Sequence, residues 1–260
     1  MMMLKDKVAV IYGAGGAIGG AVARTFAGEG AQVFLAGRRR ETVAAVAVEI
    51  GCSEVAEVDT LDERSVDDHL TAVVDKTGRV DISFDAVGIP NAGILGVPLT
   101  DIDVDRFLLP IDVHTRSYFT IARLAARHMI PARSGVIMTV SALHSRTGIP
   151  LVGGFGPAQA AKEALTRGLS AELAPHGIRV VGLRPQAIPE TPTIRDAFEP
   201  RATASGMTWQ QWQEMLASRT HARRLMTLAE VADMASFLAS DGASGMTGTT
   251  VNLTMGSLDD

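Results

Sequence analysis

Cysteine, tyrosine and tryptophan are scarce in this chain of 260 residues, and each shortage excludes something. The one cysteine, Cys52, rules out an intrachain disulfide framework and a cysteine-rich metal site, as expected of a protein kept in a reducing compartment. Only two tyrosines, Tyr12 and Tyr118, are available for any phenol-based proton transfer. No apolar stretch reaches the ~20 residues that a bilayer-spanning helix needs, and the N-terminus turns charged at once, with no signal-peptide pattern. The expectation is a soluble cytoplasmic protein without a membrane partner. Runs of one charge are also missing. The densest basic cluster is Arg38-Arg39-Arg40, the net charge is −5, and nothing is long enough to neutralise a nucleic-acid backbone. The six histidines do not group with carboxylates or the cysteine at ligand spacing, so no metal is expected.

What is present is an alternation. Short runs rich in valine and isoleucine alternate with longer segments of helical period, the pattern of βαβ units around a parallel sheet. Expected strands are 8–12, 32–36, 54–58, 82–87, 135–140, 179–183 and 250–253. Their nearly continuous apolar character, as in Val136 to Val140, fits strands covered on both faces. The fold class read from this pattern is α/β: a single domain over residues 1–260, Rossmann-like, with a doubly wound parallel sheet and helices on both faces. Ligands in such sheets bind at the carboxyl ends of the strands. One interval breaks the rhythm. From Arg184 to Leu225 the chain carries Pro185, Pro189, Pro192 and Pro200, then Trp209 and Trp212. It reads as a substrate-covering segment at about 185–225 with one or two short helices, or as a surface insertion or oligomer contact.

The first strand runs directly into a glycine-rich turn, with Gly13, Gly15, Gly16 and Gly19, and then a helix. Glycines at that junction let a backbone approach a pyrophosphate, which sits against the helix-start amides. The strict G-x-G-x-x-G fingerprint fails because Ile18 stands where its last glycine would be. After the second strand, Arg38 and Arg39 occupy the place where a carboxylate would accept hydrogen bonds from a ribose diol. An arginine there offers a fork to a 2′-phosphate, so NADP(H) is the expected cofactor.

Lys162 lies four residues after Ala158, and i, i+4 spacing puts both on one helical face. The Tyr-x-x-x-Lys signature of the short-chain dehydrogenase/reductase family has this spacing, and the chain resembles that family with alanine in the tyrosine position. The glycine turn is similar to the family's T-G-x-x-x-G-x-G loop, with Tyr12 for threonine and Ala17 for the middle glycine. The resemblance continues through Glu57-Val58-Asp59-Thr60, Ala171 to Pro185 and Ala229 to Gly248. It implies that Asp59 and Thr60 contact adenine, that Val87, Gly88, Pro185 and Ile188 line the cofactor, that Thr191 flanks the nicotinamide amide, and that Lys162 holds the nicotinamide ribose.

Departures cluster at the chemical positions. The family's Asn-Asn-Ala-Gly appears as Asp85 to Gly88, and its relay asparagine falls on His114. Ser141 stands where the substrate-orienting serine is expected, Ser145 competes for that role, and a small insertion follows. Pro185-Gln186 replaces Pro-Gly. Enoyl-acyl-carrier-protein reductases of the same superfamily place their tyrosine seven residues before the lysine, and here that residue is Phe155. Tyr12 and Tyr118 belong to the wrong segments, which leaves His114 and His144 as candidate proton donors in the imidazolium form, with a loop or backbone-bonding role as the alternative for each. A serine hydroxyl can instead stabilise an oxyanion.

Three readings follow. The first is a divergent NADPH-dependent reductase of a carbonyl or activated C=C or C=N bond in a small-molecule substrate, with Ser141, Lys162, His114 and His144 as catalytic candidates. The second is a non-redox cyclase or isomerase on the same scaffold. The third is a catalytically silent NADP-binding or scaffold protein. The resemblance also implies a homotetramer or homodimer paired through helices at 112–128 and 158–175.

Overall fold

The computed structural model describes residues 2–89 and 94–259. Seven strands form one parallel sheet: β1 (Val8–Tyr12), β2 (Gln32–Gly37), β3 (Val55–Glu57), β4 (Ile82–Asp85), β5 (Gly135–Val140), β6 (Ile178–Pro185) and β7 (Thr249–Leu253). Their order is β3-β2-β1-β4-β5-β6-β7, so the winding reverses between β1 and β4 and opens a crevice at the carboxyl ends of those two strands. Between the strands run α1 (Ala17–Gly28), α2 (Arg40–Glu49), α3 (Glu63–Thr77), α4 (Val104–Ala132), α5 (Phe155–Leu173), α6 (Pro192–Ala204), α7 (Trp209–Ser218) and α8 (Leu228–Ala239).

The period-two geometry of β1 divides the core. Ala9 and Ile11 point to the layer built with α1, α2 and α8, where Val22, Phe26, Val46 and Val231 are buried. Val8, Val10 and Tyr12 point to the opposite layer, where Val66 and Leu70 of α3 and Tyr118, Ile121 and Leu124 of α4 cover the sheet. Helix starts follow local chemistry. Asp103 caps α4 through the Arg106 amide (2.9 Å), and Thr208 and Thr227 open α7 and α8 with reciprocal capping boxes to Gln211 and Glu230. Helix α1 differs: its cap is Gly16, without a side chain, and its first-turn amides are left to the crevice.

Strand boundaries depart from expectation in small, explicable ways. β4 stops at Asp85 rather than continuing to residue 87, because the Val87 amide turns back to Asp85 Oδ1 at 3.1 Å. Edge strand β3 spans only Val55–Glu57, while β6, held on both sides, extends from Ile178 to Pro185. The interval that breaks the βα rhythm holds two helices, α6 and α7.

Candidate active site

The crevice opens into a cleft of about 1110 Å³ running from the β1–α1 turn, across the ends of β4, β5 and β6, to the inner faces of α6 and α7. At its first end the glycines are sterically required. A Cβ on Gly13 would meet the Ala86 carbonyl oxygen at 2.5 Å, one on Gly15 would meet Thr42 Oγ1 at 2.4 Å, and one on Gly19 would meet the Gly13 carbonyl oxygen at 2.3 Å; Gly13 also has φ +77°. Gly13, Gly15, Gly16, Ala17 and Ile18 line the cleft. Gly19 does not; it lets α1 start hard against the turn. Arg38 and Arg39 are exposed on the cleft rim beside Thr42, and the one carboxylate among its described lining residues is Asp196, on α6. This end therefore fits a nucleotide phosphate: a backbone cradle without Cβ atoms, open helix amides and two uncompensated guanidinium groups.

Further along, Thr60, Val87, Gly88, Pro185, Ile188 and Thr191 line the cleft. Asp59 does not. Its carboxylate accepts the Leu61 amide at 3.0 Å and closes the turn after β3. The hydroxyl of Thr60 accepts a bond from Ser117 Oγ at 3.1 Å.

The floor is organised by α5. Lys162 is 1% exposed and lies outside the cleft wall, its Nζ 3.1 Å from Asp85 Oδ2. Asp85 is itself held by the Thr139 hydroxyl (3.1 Å) and the Val87 amide (3.1 Å). The ammonium expected at a ribose is thus directed into a buried ion pair. On the next residue, Glu163 binds Arg184 in fork geometry, at 2.8 and 2.9 Å, and accepts the hydroxyls of Ser141 (2.8 Å) and Ser145 (2.6 Å) on Oε1. Burial alone would raise the Glu163 pKa, but the bonds from Arg184, Ser145 and Ser141 outweigh it and hold the carboxyl below its usual range. Ser141 lines the cleft and Ser145 does not, yet the Ser145 proton goes to Glu163 and that of Ser141 to Glu163 or the Leu183 carbonyl (3.4 Å), so Ser141 shows the cleft its lone pairs rather than its donor.

Ala158, in the tyrosine position, is fully buried and outside the cleft wall. One and two turns before Lys162 the wall is made by Gln159 and Phe155. His114 from α4 and His144 from the short turn Leu143–Ser145 meet the Phe155 ring edge-on, with centroids 6.0 and 5.2 Å away. Burial lowers both histidines to about 4, helped by the charge of Lys162 for His114 and of Arg201 for His144. Near pH 7 this favours neutral rings over the imidazolium form expected from the sequence, because desolvation opposes the charged form. Both His114 nitrogens are sealed from solvent without a hydrogen-bond partner, as is His144 Nδ1. Tyr12 and Tyr118 are buried away from the cleft, with burial pushing both phenols up; Tyr118 bonds Thr166 at 3.0 Å.

The far end is mostly apolar, with Asp196, Arg201 and Arg219 also in its lining. The insertion after β5 supplies Ile149, Leu151 and Val152, and α6 and α7 supply Ile194, Phe198, Trp212, Met215 and Leu216. The Leu151 carbonyl joins these pieces, accepting the Gly96 amide and Arg201 Nη2, each at 2.8 Å. Sequence reasoning missed Asp85, Glu163 and Gln159 as partners in this floor. The acidic residue in an asparagine position was the available signal for the first.

Comparison with known proteins agrees with the fold. A family model described as enoyl-(acyl carrier protein) reductase matches residues 13–257. The chain is 31% identical over 265 residues to (+)-borneol dehydrogenase 2 of Salvia officinalis, covering 95% of this chain and 87% of that protein. It is 32% identical over 255 residues to an uncharacterised oxidoreductase of Bacillus subtilis, covering 95% and 89%. Among solved structures, sorbitol-6-phosphate 2-dehydrogenase of Erwinia amylovora superposes with a TM-score of 0.89 at 25% identity, covering 97% of this chain and 100% of that one. The chain belongs to the short-chain dehydrogenase/reductase family, whose members are oxidoreductases that use nicotinamide cofactors.

Proposed function

We propose that this protein is an NADP(H)-dependent oxidoreductase that reduces a carbonyl or an activated C=C or C=N bond of a small, largely apolar molecule. The observation that carries the reading is the pairing of Arg38 and Arg39 with a glycine cradle on one wall of a cleft whose opposite end is mostly apolar. The guanidinium groups would hold a 2′-phosphate, Gly13 to Ile18 the pyrophosphate, and Pro185 to Ile188 with Thr191 the nicotinamide side. When bound, the cofactor supplies hydride. The chain's part is to orient the acceptor bond beside it and to shield it from bulk water. Lys162 and Ser141 serve as scaffold in this reading, and the proton for the product comes from water. The mostly apolar chamber fits the ketone counterpart of the borneol in the Salvia relative's name better than the sugar phosphate of the Erwinia enzyme.

A non-redox activity is favoured by one observation: the hydroxyl and ammonium groups that would drive carbonyl reduction are bonded to Glu163 and Asp85. We further propose assembly as a homodimer or homotetramer through α4 and α5.

Calorimetric titration of NADPH and NADH into the native chain and the Arg38→Ala variant tests the main reading. NADPH should bind at least ten times more tightly than NADH, and the variant should lose most of that preference. Equal affinity for the two nucleotides, or no binding of either, would sink it.

A further inference from the structure

Every charge beneath the inner cleft is already paired. Lys162 faces Asp85, and Arg184 faces Glu163 in a two-point contact. The two histidines of the wall are neutral near pH 7 because they are buried. A charged substrate group set on this floor would meet pairs that are already neutralised; the charges that line this end of the cleft, Arg201, Arg219 and Asp196, stand on the side of α6 and α7. Two polar groups at this point remain uncommitted. Gln159 is 3% exposed, lines the cleft and has no hydrogen-bond partner among the described residues; its amide is not among the polar atoms sealed from solvent. His144 has its Nδ1 sealed, while Nε2 is unbonded and not sealed. Phe155 fixes their relation: Gln159 follows it by one helical turn on the same face of α5, and the His144 ring meets the Phe155 ring edge-on at 5.2 Å. An unbonded amide in a nearly closed site costs free energy until a ligand supplies its partner.

We propose that Gln159 and His144 together hold the oxygen of an uncharged, predominantly hydrocarbon substrate, at the position left without a tyrosine. The amide N–H and the imidazole Nε2 supply hydrogen bonds to a neutral ketone or alcohol oxygen, while Phe155 and the apolar residues of α6 and α7 cover the hydrocarbon body. This specifies the substrate class of the reductase proposed above and rests on that reading, but it is a statement about binding and is testable without turnover.

The probes are 2-decalone and decalin, which share a bicyclic skeleton and differ by one oxygen, titrated by calorimetry into the full chain with and without NADP⁺. Native protein should prefer the ketone by roughly tenfold. Gln159→Leu and His144→Phe should each weaken 2-decalone by about 5- to 10-fold, the size of one hydrogen bond, and leave decalin unchanged. Gln159→Met, unbranched and closer in shape, should reproduce Gln159→Leu, and thermal melting of all variants identifies any that fail to fold. Equal binding of the two probes to native protein, no binding of 2-decalone, or unaltered ketone affinity in folded variants at both positions would overturn the assignment. NADPH titration of the same samples separates the failures. Normal NADPH binding with no discrimination between probes removes only the Gln159 and His144 pair, whereas discrimination without nucleotide binding removes only the reductase reading.

Discussion

Asp85 changes what Lys162 is. With an asparagine in that position the ammonium would have no anion beneath it and would be free to reach the cleft; with aspartate it is drawn into a contact at 3.1 Å where the two side chains are 2% and 0% exposed. The attraction gained is offset by removing both charges from water, so the pair as a whole contributes little net stability. Breaking it is different, because one charge is then stranded. Asp85→Asn or Lys162→Met alone should each destabilise the fold by about 3–5 kcal/mol, whereas the double variant should cost less than either single one. Urea denaturation of the four proteins measures this, and additive losses would show that the two residues do not act as a pair. None of this pairing could be read from sequence. The substitution at position 85 was visible, as was Lys162, but nothing in a linear pattern says that two side chains on a strand end and a helix face will meet. The same holds for Glu163, whose hold on Arg184, Ser141 and Ser145 joins α5 to β5, β6 and the turn after β5.

Elements were far more legible than their contacts. Apolar runs bounded by turn residues gave β1 and β5 with their observed ends, since a strand buried on both faces must be apolar throughout. β3 was overestimated because an edge strand with one neighbour has fewer bonds to extend it. Helix α4 extends the expected segment at 112–128 to Val104–Ala132, with Pro110 and Pro131 inside it. One face of α4 is left without cover. Val104, Leu108 and Phe119 are 70%, 47% and 46% exposed, and Leu109 beside them is 47% exposed. Positions 104, 108 and 119 recur at multiples of the helical turn, so they form a stripe rather than scattered exceptions. Such a stripe is what pairing of copies through α4 requires. Phe119→Asp would put a carboxylate at the C-terminal end of this stripe, in place of an aromatic ring that lies under the Arg123 guanidinium, and in a symmetric pair it would do so on both copies. Sedimentation velocity should find the native chain as a dimer or tetramer and the variant shifted toward monomer at micromolar concentration, with the same circular dichroism. An unshifted assembly in the folded variant would place the interface elsewhere.

At the scale of the whole molecule, charge and burial make a separate statement about where the fold is stable. Three histidines lie at different places under the surface: His114 and His144 beside Phe155, and His69 of α3 against the Tyr12 ring at 5.7 Å. Desolvation lowers each to about 4. In the unfolded chain each returns to about 6.5. Between these values the unfolded state binds more protons than the folded state, so stability falls as pH falls, and it is fully present only above the unfolded value. The carboxylates held down by partners act in a lower window. Glu230, lowered to about 2 by Arg224 and the Thr227 amide, loses its contribution only as pH drops from its unfolded range toward that value. The interval from about 6.5 to 4 therefore belongs to the histidines, each worth on the order of 3 kcal/mol across it, a large share of the 5–15 kcal/mol that holds a domain of ordinary stability. Urea midpoints measured from pH 7.5 to 4.5 should decline steadily below pH 6.5. His69→Phe, remote from the cleft and able to keep the ring contact with Tyr12, should flatten that decline by about a third on the same proton count. A flat profile in the native protein, or an unchanged slope in the variant, would mean that the buried rings are reached by water and charge freely in the folded state.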